Sequence, residues 1–207
     1  NGAGKTTLMN LMTGLLNIQQ GSIKLFGNEI KNHNKKLNKY LGFVPQDFSF
    51  YSELSPKENL EYFGALAGLS AKEIKSRIDE LLVIIGLTEV KDKQVGKFSG
   101  GMKRRINLAI GVIHQPRILF LDEPTVGVDV QSKHAIISYL LELNKKGTTL
   151  VYTSHQLSEA EMLCDKIAMI DEGKMMVNDT LSNLLTTHNE KNLEGLFLKL
   201  TGKSFRD

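Results

Sequence analysis

The sequence predicts an α/β fold: a mostly parallel central sheet flanked by helices, with an all-helical subdomain inserted. Three observations predict it. Ile118-Leu-Phe-Leu121 is a continuous apolar run of strand length, as a central strand covered on both faces requires. Strand patterns and helix patterns alternate along most of the chain, the order of a parallel sheet joined by crossover helices. Between Ser55 and Val90 the strand patterns vanish, and two helix-start signals take their place.

Taken in order, a helix is expected from about Lys5 to Leu15. Gly21-Ser-Ile-Lys-Leu-Phe-Gly27 alternates between bounding glycines and reads as a strand. Gly42-Phe-Val44 is a short apolar strand stopped by Pro45. Ser55-Pro-Lys-Glu58 is a capping box with proline at the first helical position, and Ser70-Ala-Lys-Glu73 is a second box. Behind it Ile74, Ile78, Leu81, Leu82 and Ile85 share one helical face, and Gly86 ends the run. A helix from about Gly100 to Ile113 carries the stripe Ile106, Ala109, Ile110 and Ile113. After the Ile118–Leu121 strand, a helix from about Val130 to Asn144 leads to a second buried strand, Thr148 to Thr153. Lys166–Asp171 and Lys174–Asn178 flank Glu172-Gly173 and read as a hairpin; Thr180 to Thr201 reads as two short helices.

A chain of 207 residues can bury a real core, about 70% of the surface it exposes unfolded. Hydrophobic residues are 41% and charged residues 24%, which excludes wholesale disorder. The net charge of +3 is too mild to predict a nucleic-acid partner. A single cysteine, Cys164, excludes an internal disulfide. The longest uncharged run, Thr6 to Ile23, holds Asn10, Thr13, Asn17, Gln19 and Gln20, too polar to span a bilayer. The chain starts at Asn1 inside a motif and reads as a piece whose natural N-terminus lies upstream.

That motif, Asn1-Gly-Ala-Gly-Lys-Thr6, matches the last six positions of the phosphate-binding pattern G-x-x-x-x-G-K-[ST]. Gly2 and Gly4 let backbone N–H groups turn inward around phosphate oxygens; Lys5 sets a point charge on the β- and γ-phosphates; the Thr6 hydroxyl ligates Mg²⁺. The helix that follows aims its positive end at the same anion. A glycine turn that merely caps a helix is the bland alternative. A guanine-specific enzyme should carry Asn-Lys-x-Asp, and Asn34-Lys-Lys-Leu37 and Asn38-Lys-Tyr-Leu41 both lack the aspartate.

A buried strand delivers Asp122 to its carboxyl end, where open α/β sheets bind ligands, so Asp122 can hold Mg²⁺. Successive side chains diverge, so Glu123 can address the attacking water as general base. A solvated acidic pair at a loop start is the alternative. His155 follows the Thr148–Thr153 strand and should emerge on the same rim, either bonding the γ-phosphate or its water, or capping a helix.

Further pieces fit one family. Phe98-Ser-Gly-Gly-Met102 resembles the signature motif of ABC-type ATPases, Pro45-Gln46 their Q-loop, and Val126-Gly-Val-Asp129 their D-loop. The order of P-loop, Q-loop, helical insert, signature, Asp-Glu strand, D-loop and histidine is the family's order and covers the chain. Ser99-Gly-Gly-Met-Lys-Arg-Arg105, Asp122-Glu-Pro-Thr-Val-Gly-Val-Asp129 and Leu193-Glu-Gly-Leu-Phe-Leu-Lys-Leu-Thr201 resemble the ATP-binding subunits of ABC-2-type exporters. Phe98 and Met102 stand where leucine and glutamine are commoner, and Met102 lacks an amide.

The resemblance implies ATP and Mg²⁺ as cofactors and a head-to-tail pair of nucleotide-binding domains, with Asn1, Gly2, Ala3, Gly4, Lys5, Thr6 and Thr7 on the nucleotide. Ser99, Gly100 and Gly101 would close on the partner domain's nucleotide. Glu123, His155 and Gln46 would be catalytic, with Thr6, Gln46 and Asp122 at the metal. It also implies a membrane permease subunit, a place on the cytoplasmic face of the cell membrane, and an adenine-stacking aromatic upstream of Asn1. By motif the chain divides into 1–45 (P-loop part), 46–115 (Q-loop, helical subdomain, signature helix), 116–180 (Asp-Glu strand, D-loop, histidine, hairpin) and 181–207 (helical tail). Phe48 and Phe50 would either meet the membrane subunit or pack on the insert, and Lys103 and Arg104 would either face an anion or form an exposed basic turn. The rival is a non-transport ATPase of this kind acting on ribosomes or DNA; the gap between P-loop and signature holds no sustained heptads, against the DNA-acting kind. Asn178-Asp-Thr180 is read as a chance sequon, and His33, His114, His134 and His188 lack metal-ligand spacing.

Overall fold

A computed structural model describes residues 2–30, 37 and 39–202; Asn1, His33, Asn34 and Asn38 fall outside the described residues. The chain forms two compact units, Asn1–Ile23 with Tyr152–Asp207, and Lys24–Val151.

In the Lys24–Val151 unit, β1 (Lys24–Leu25) and β2 (Asn28–Glu29) make a small hairpin. β3 (Leu41–Val44) pairs in parallel with β4 (Ile118–Asp122), from Leu41 opposite Ile118 to Val44 opposite Leu121. Every β4 residue is buried, as its unbroken apolar run requires. β5 (Thr149–Thr153), which straddles the division of the chain, completes the order β3-β4-β5. The helical insert is α2 (Pro56–Leu66) and α3 (Ala71–Ile84), and α4 (Gly100–Val112) and α5 (Val130–Lys145) follow.

Both capping boxes form. Ser55 Oγ accepts from Glu58 N at 3.2 Å while Glu58 Oε2 accepts from Ser55 N at 2.8 Å. Ser70 and Glu73 repeat the exchange at 3.4 and 2.8 Å. Ile74, Ile78, Leu81, Leu82 and Ile85 are buried, and Gly86 turns the chain at φ +64°. The buried Arg77 of α3 donates through Nε to Ile113 O and through Nη2 to Val112 O, both at 3.1 Å. It thereby satisfies carbonyls orphaned at the C-terminus of α4 and places a cation at that dipole end. Helix α4 lies almost on the backbone of β3: a Cβ on Gly42 would stand 2.4 Å from Gly111 O, and one on Gly111 2.5 Å from Val44 Cγ2.

The other unit holds α1 (Lys5–Met12), α6 (Leu157–Leu163), the antiparallel hairpin β6 (Lys166–Asp171) and β7 (Lys174–Thr180), α7 (Leu181–His188) and α8 (Leu193–Thr201). Its core joins Ile167 and Met169 of β6 to Leu184, Leu193 and Leu196 of the tail helices.

Three expectations need correction. The strand expected over residues 21–27 shrinks to Lys24–Leu25, because Phe26 (φ +51°) and Gly27 (φ +76°) form the hairpin turn instead of prolonging the strand. Helix α1 stops at Met12, where Thr13 turns its hydroxyl back to Met9 O at 2.9 Å and Gly14 adopts φ +76°. β5 is half-exposed rather than buried, since it lies at the edge of the sheet among the described residues. No helix among the described residues is long and apolar enough to cross a membrane.

Candidate functional site

The candidate site residues divide between the two compact units. In the first, Gly2 and Gly4 adopt φ +81° and +98°, the left-handed geometry that turns consecutive amides to one side. Gly4 is the N-cap of α1; no side chain caps that end and no acidic residue lies in its first turn. The first-turn amides and the dipole therefore keep their affinity for an anion. Thr6 and Thr7 are exposed there and Lys5 is half-buried. Ala3 O accepts from Gly173 N at 3.0 Å, so the β6–β7 turn braces the loop.

His155 is exposed just past β5. Its turn is fixed from beneath: Ser154 Oγ accepts from Gln156 N at 2.8 Å, and the buried Glu159 accepts from Tyr152 OH at 2.7 Å and Ser154 Oγ at 3.4 Å. Glu159, which holds this turn by two hydrogen bonds, was missed by sequence reasoning; its signal was an acidic residue four places after the histidine.

In the second unit Asp122 ends β4 only 1% exposed, and Glu123 follows 7% exposed with φ +48°. Left-handed backbone at a residue with a Cβ costs roughly 1–2 kcal/mol, and such strain clusters at functional positions. The kink brings Glu123 Oε2 to 3.4 Å from Gln46 Nε2, which donates to it. Gln46 itself is exposed. The bland reading of Asp122 and Glu123 as a solvated pair is thus wrong: the apolar strand carries both out of bulk water.

Ser99 is the N-cap of α4, its Oγ accepting from Met102 N at 3.3 Å. Ser99 and Gly100 are exposed, and a Cβ on Gly100 would meet nothing closer than Gly127 O at 3.5 Å. Gly101 differs. It is buried, and a Cβ there would stand 2.4 Å from Ser132 Oγ and 2.8 Å from Asp129 Oδ2. Its glycine is demanded by packing on the start of α5. Asp129 caps that helix, accepting from Ser132 N at 2.9 Å, and these hydrogen bonds hold its carboxyl below the usual range.

The basic turn resolves into three different environments. Lys103 is half-buried. Arg105 donates to Ile85 O at 2.7 Å. Arg104 is only 6% exposed and donates to Gln46 O at 2.7 Å, which ends the exposed-turn reading for that residue. Asn107, one turn on, accepts from Ser49 N and Oγ at 3.0 and 2.9 Å and donates to Pro45 O at 3.3 Å. Arg104 and Asn107 therefore pin the loop that carries Gln46. Polar residues at i, i+3 on an apolar helix do not by themselves say that their face is buried. Phe48 and Phe50 stack on each other at 5.2 Å, and Phe48 remains exposed beneath the Arg104 guanidinium.

The donors expected at Mg²⁺ are all oxygen: the Asp122 carboxylate, the Thr6 hydroxyl and the Gln46 amide oxygen. That is the hard set Mg²⁺ takes, with phosphates and water filling the rest. Among the described residues no cluster of three or more His, Cys, Asp or Glu offers a self-sufficient metal cage.

Comparison with known proteins bears on the same residues. The family described as "ABC transporter" matches residues 1–126, which include the P-loop remnant, Gln46, the signature and Asp122-Glu123. The linearmycin resistance ATP-binding protein LnrL of Bacillus subtilis is 42% identical over 89% of this chain and 59% of its own length. The ABC transporter ATP-binding protein NatA of the same organism is 33% identical over 96% of this chain and 81% of its own. A Nod factor export ATP-binding protein of Rhizobium is 36% identical over 91% of this chain and 62% of its own. A solved structure described as the ATP-binding subunit of an ABC transporter superposes with a TM-score of 0.88 at 27% identity, covering 97% of this chain and 85% of that one. Another, cbiO1 from Clostridium perfringens, gives 0.78 at 28% identity over 92% and 77%.

The chain belongs to the ABC transporter family, as an ATP-binding domain with the P-loop α/β fold. It spans about three fifths of the length of LnrL and of the Nod factor export protein. The relatives named for resistance and export are of the kind that the spelling of Ser99–Arg105 and Asp122–Asp129 resembles.

Proposed function

We propose that the protein of which this chain is the ATP-binding domain hydrolyses ATP to drive export of a substrate through a membrane permease subunit, working as a head-to-tail pair at the cytoplasmic face of the membrane. The observation that carries the reading is the Glu123 carboxylate, buried beside Asp122 at the end of a buried strand and touched by Gln46. Glu123 accepts the proton of the attacking water. Asp122, Thr6 and Gln46 would hold Mg²⁺, which when bound offsets the charge of the β- and γ-phosphates. Gly2 to Thr7 cradle the phosphates of ATP. Ser99 with the exposed start of α4 is a second anion-binding helix end, and the pairing of two domains would set it on the partner domain's ATP. His155 hydrogen-bonds the γ-phosphate or the water. Names of relatives that speak of resistance and export support the direction of transport.

Purification of the full-length protein from membranes tests the assembly. A partner carrying spans of about 20 apolar residues should accompany it; ribosomes or DNA in its place would overturn the export reading.

A further inference from the structure

Arg104 makes a set of contacts that stability does not explain. It lies on α4, five residues past the Ser99 cap, yet its guanidinium reaches two separate loops of the Lys24–Val151 unit. Nη1 donates to Gln46 O at 2.7 Å, Nη2 to Val126 O at 3.4 Å, and the guanidinium carbon stands 4.9 Å above the Phe48 ring. Among the described residues, Asp47 and Glu123 favour its charge, while burial works against the cation. Its Nε is buried without a hydrogen-bond partner. A desolvated cation with an unmade hydrogen bond is a poor stabiliser, and apolar replacements of such groups are often neutral or better.

What the guanidinium does is join two loops that flank one carboxylate. The Gln46 backbone, held by Nη1, carries the amide that donates to Glu123 Oε2 at 3.4 Å. Val126, held by Nη2, lies three residues after Glu123 and donates its own N–H back to Glu123 O at 3.3 Å. Both the side chain and the backbone of Glu123 are thus tied, at one remove, to a single planar fork. Only an arginine spans two acceptors in this way; a lysine offers one point of attachment.

We infer that Arg104 is a positioning residue for the hydrolytic step, setting Gln46 and the turn after Asp122-Glu123 in register with the Glu123 carboxylate. The inference rests on the ATPase reading above. Arg104 acts through the Gln46 and Val126 backbones, so its removal should leave ATP binding intact and slow turnover.

The test uses the full-length protein with its membrane partner and compares wild type, Arg104→Lys, Gln46→Ala and the double variant. Arg104→Lys keeps the charge and the long stem, so it preserves folding. It should leave the ATP dissociation constant within about twofold and lower kcat roughly 10-fold to 100-fold, the scale of a small misplacement of catalytic groups. In the double variant the losses should not multiply, since Arg104 acts through Gln46. Wild-type kcat in Arg104→Lys, or fully multiplicative losses with Gln46→Ala, would overturn the inference while leaving the ATPase reading standing. Absence of ATP hydrolysis in the wild type would overturn that reading itself.

Discussion

At the scale of single residues, the chemistry depends on groups the fold places at some cost. Glu123 accepts a left-handed backbone and near-complete burial, and what it gains is a fixed direction beside Asp122. Lys5 sits in the first turn of a helix end that no side chain caps. Lys5→Ala removes a charge-assisted contact worth roughly 1.5–3 kcal/mol. Affinity for ATP in the full-length protein should fall about tenfold to a hundredfold by that arithmetic; an unchanged dissociation constant would remove Lys5 from the phosphate cradle. Residues were unevenly legible in sequence. The types at Lys5, Asp122 and Glu123 spell their chemistry, because phosphate and Mg²⁺ dictate charge and oxygen donors. Arg104 was not legible: a basic residue near a helix start reads as solvated until tertiary packing buries it.

At the scale of elements, two devices set the geometry, and both can be perturbed. Gly42 and Gly111 let α4 approach β3 backbone to backbone, which fixes where the signature helix stands relative to the strand leading into Gln46. Gly42→Ala would force a methyl to 2.4 Å from Gly111 O, which must move. Overpacking of this kind costs roughly 1–3 kcal/mol, and urea unfolding should register it. The capping boxes are the second device. Hydrogen bonds from Ser55 and Ser70 hold the Glu58 and Glu73 carboxyls below their usual range, and the Ser132 amide does the same for Asp129.

A carboxyl whose folded pKa lies below its unfolded value stabilises above the unfolded pKa, about 4 for these groups. That contribution is lost as pH falls through the lower, folded value. The urea midpoint should therefore drop as pH is taken from 5 toward 3, and replacing Glu58 and Glu73 by glutamine should flatten that slope while keeping both helices. A slope identical to wild type would show that the boxes carry no charge-dependent stability. The boxes were readable in sequence because a cap is a local pattern of four residues. The exposure of β5 was not, because an apolar run says nothing about which strands stand beside it. Gly101 was half legible: its motif pointed to an anion, while the packing on Ser132 that also demands glycine is long-range.

At the scale of the whole molecule, the chain is proposed to work as one half of a pair. The order of motifs pointed to its family before any coordinate, since a glycine loop, an Asp-Glu strand and a histidine in that sequence resemble the family's order. The proposed pairing of two domains and the proposed membrane subunit are legible neither in periodicity nor in a single chain's contacts; they would be properties of surfaces that meet something else. The most direct measurement is ATP turnover by full-length Glu123→Gln, read together with its oligomeric state in ATP and Mg²⁺. With the base gone, hydrolysis should fall about 10²–10⁴-fold, while ATP stays bound and the protein accumulates as a pair. Turnover at the wild-type rate would contradict the assignment of Glu123 and, with it, the proposed mechanism.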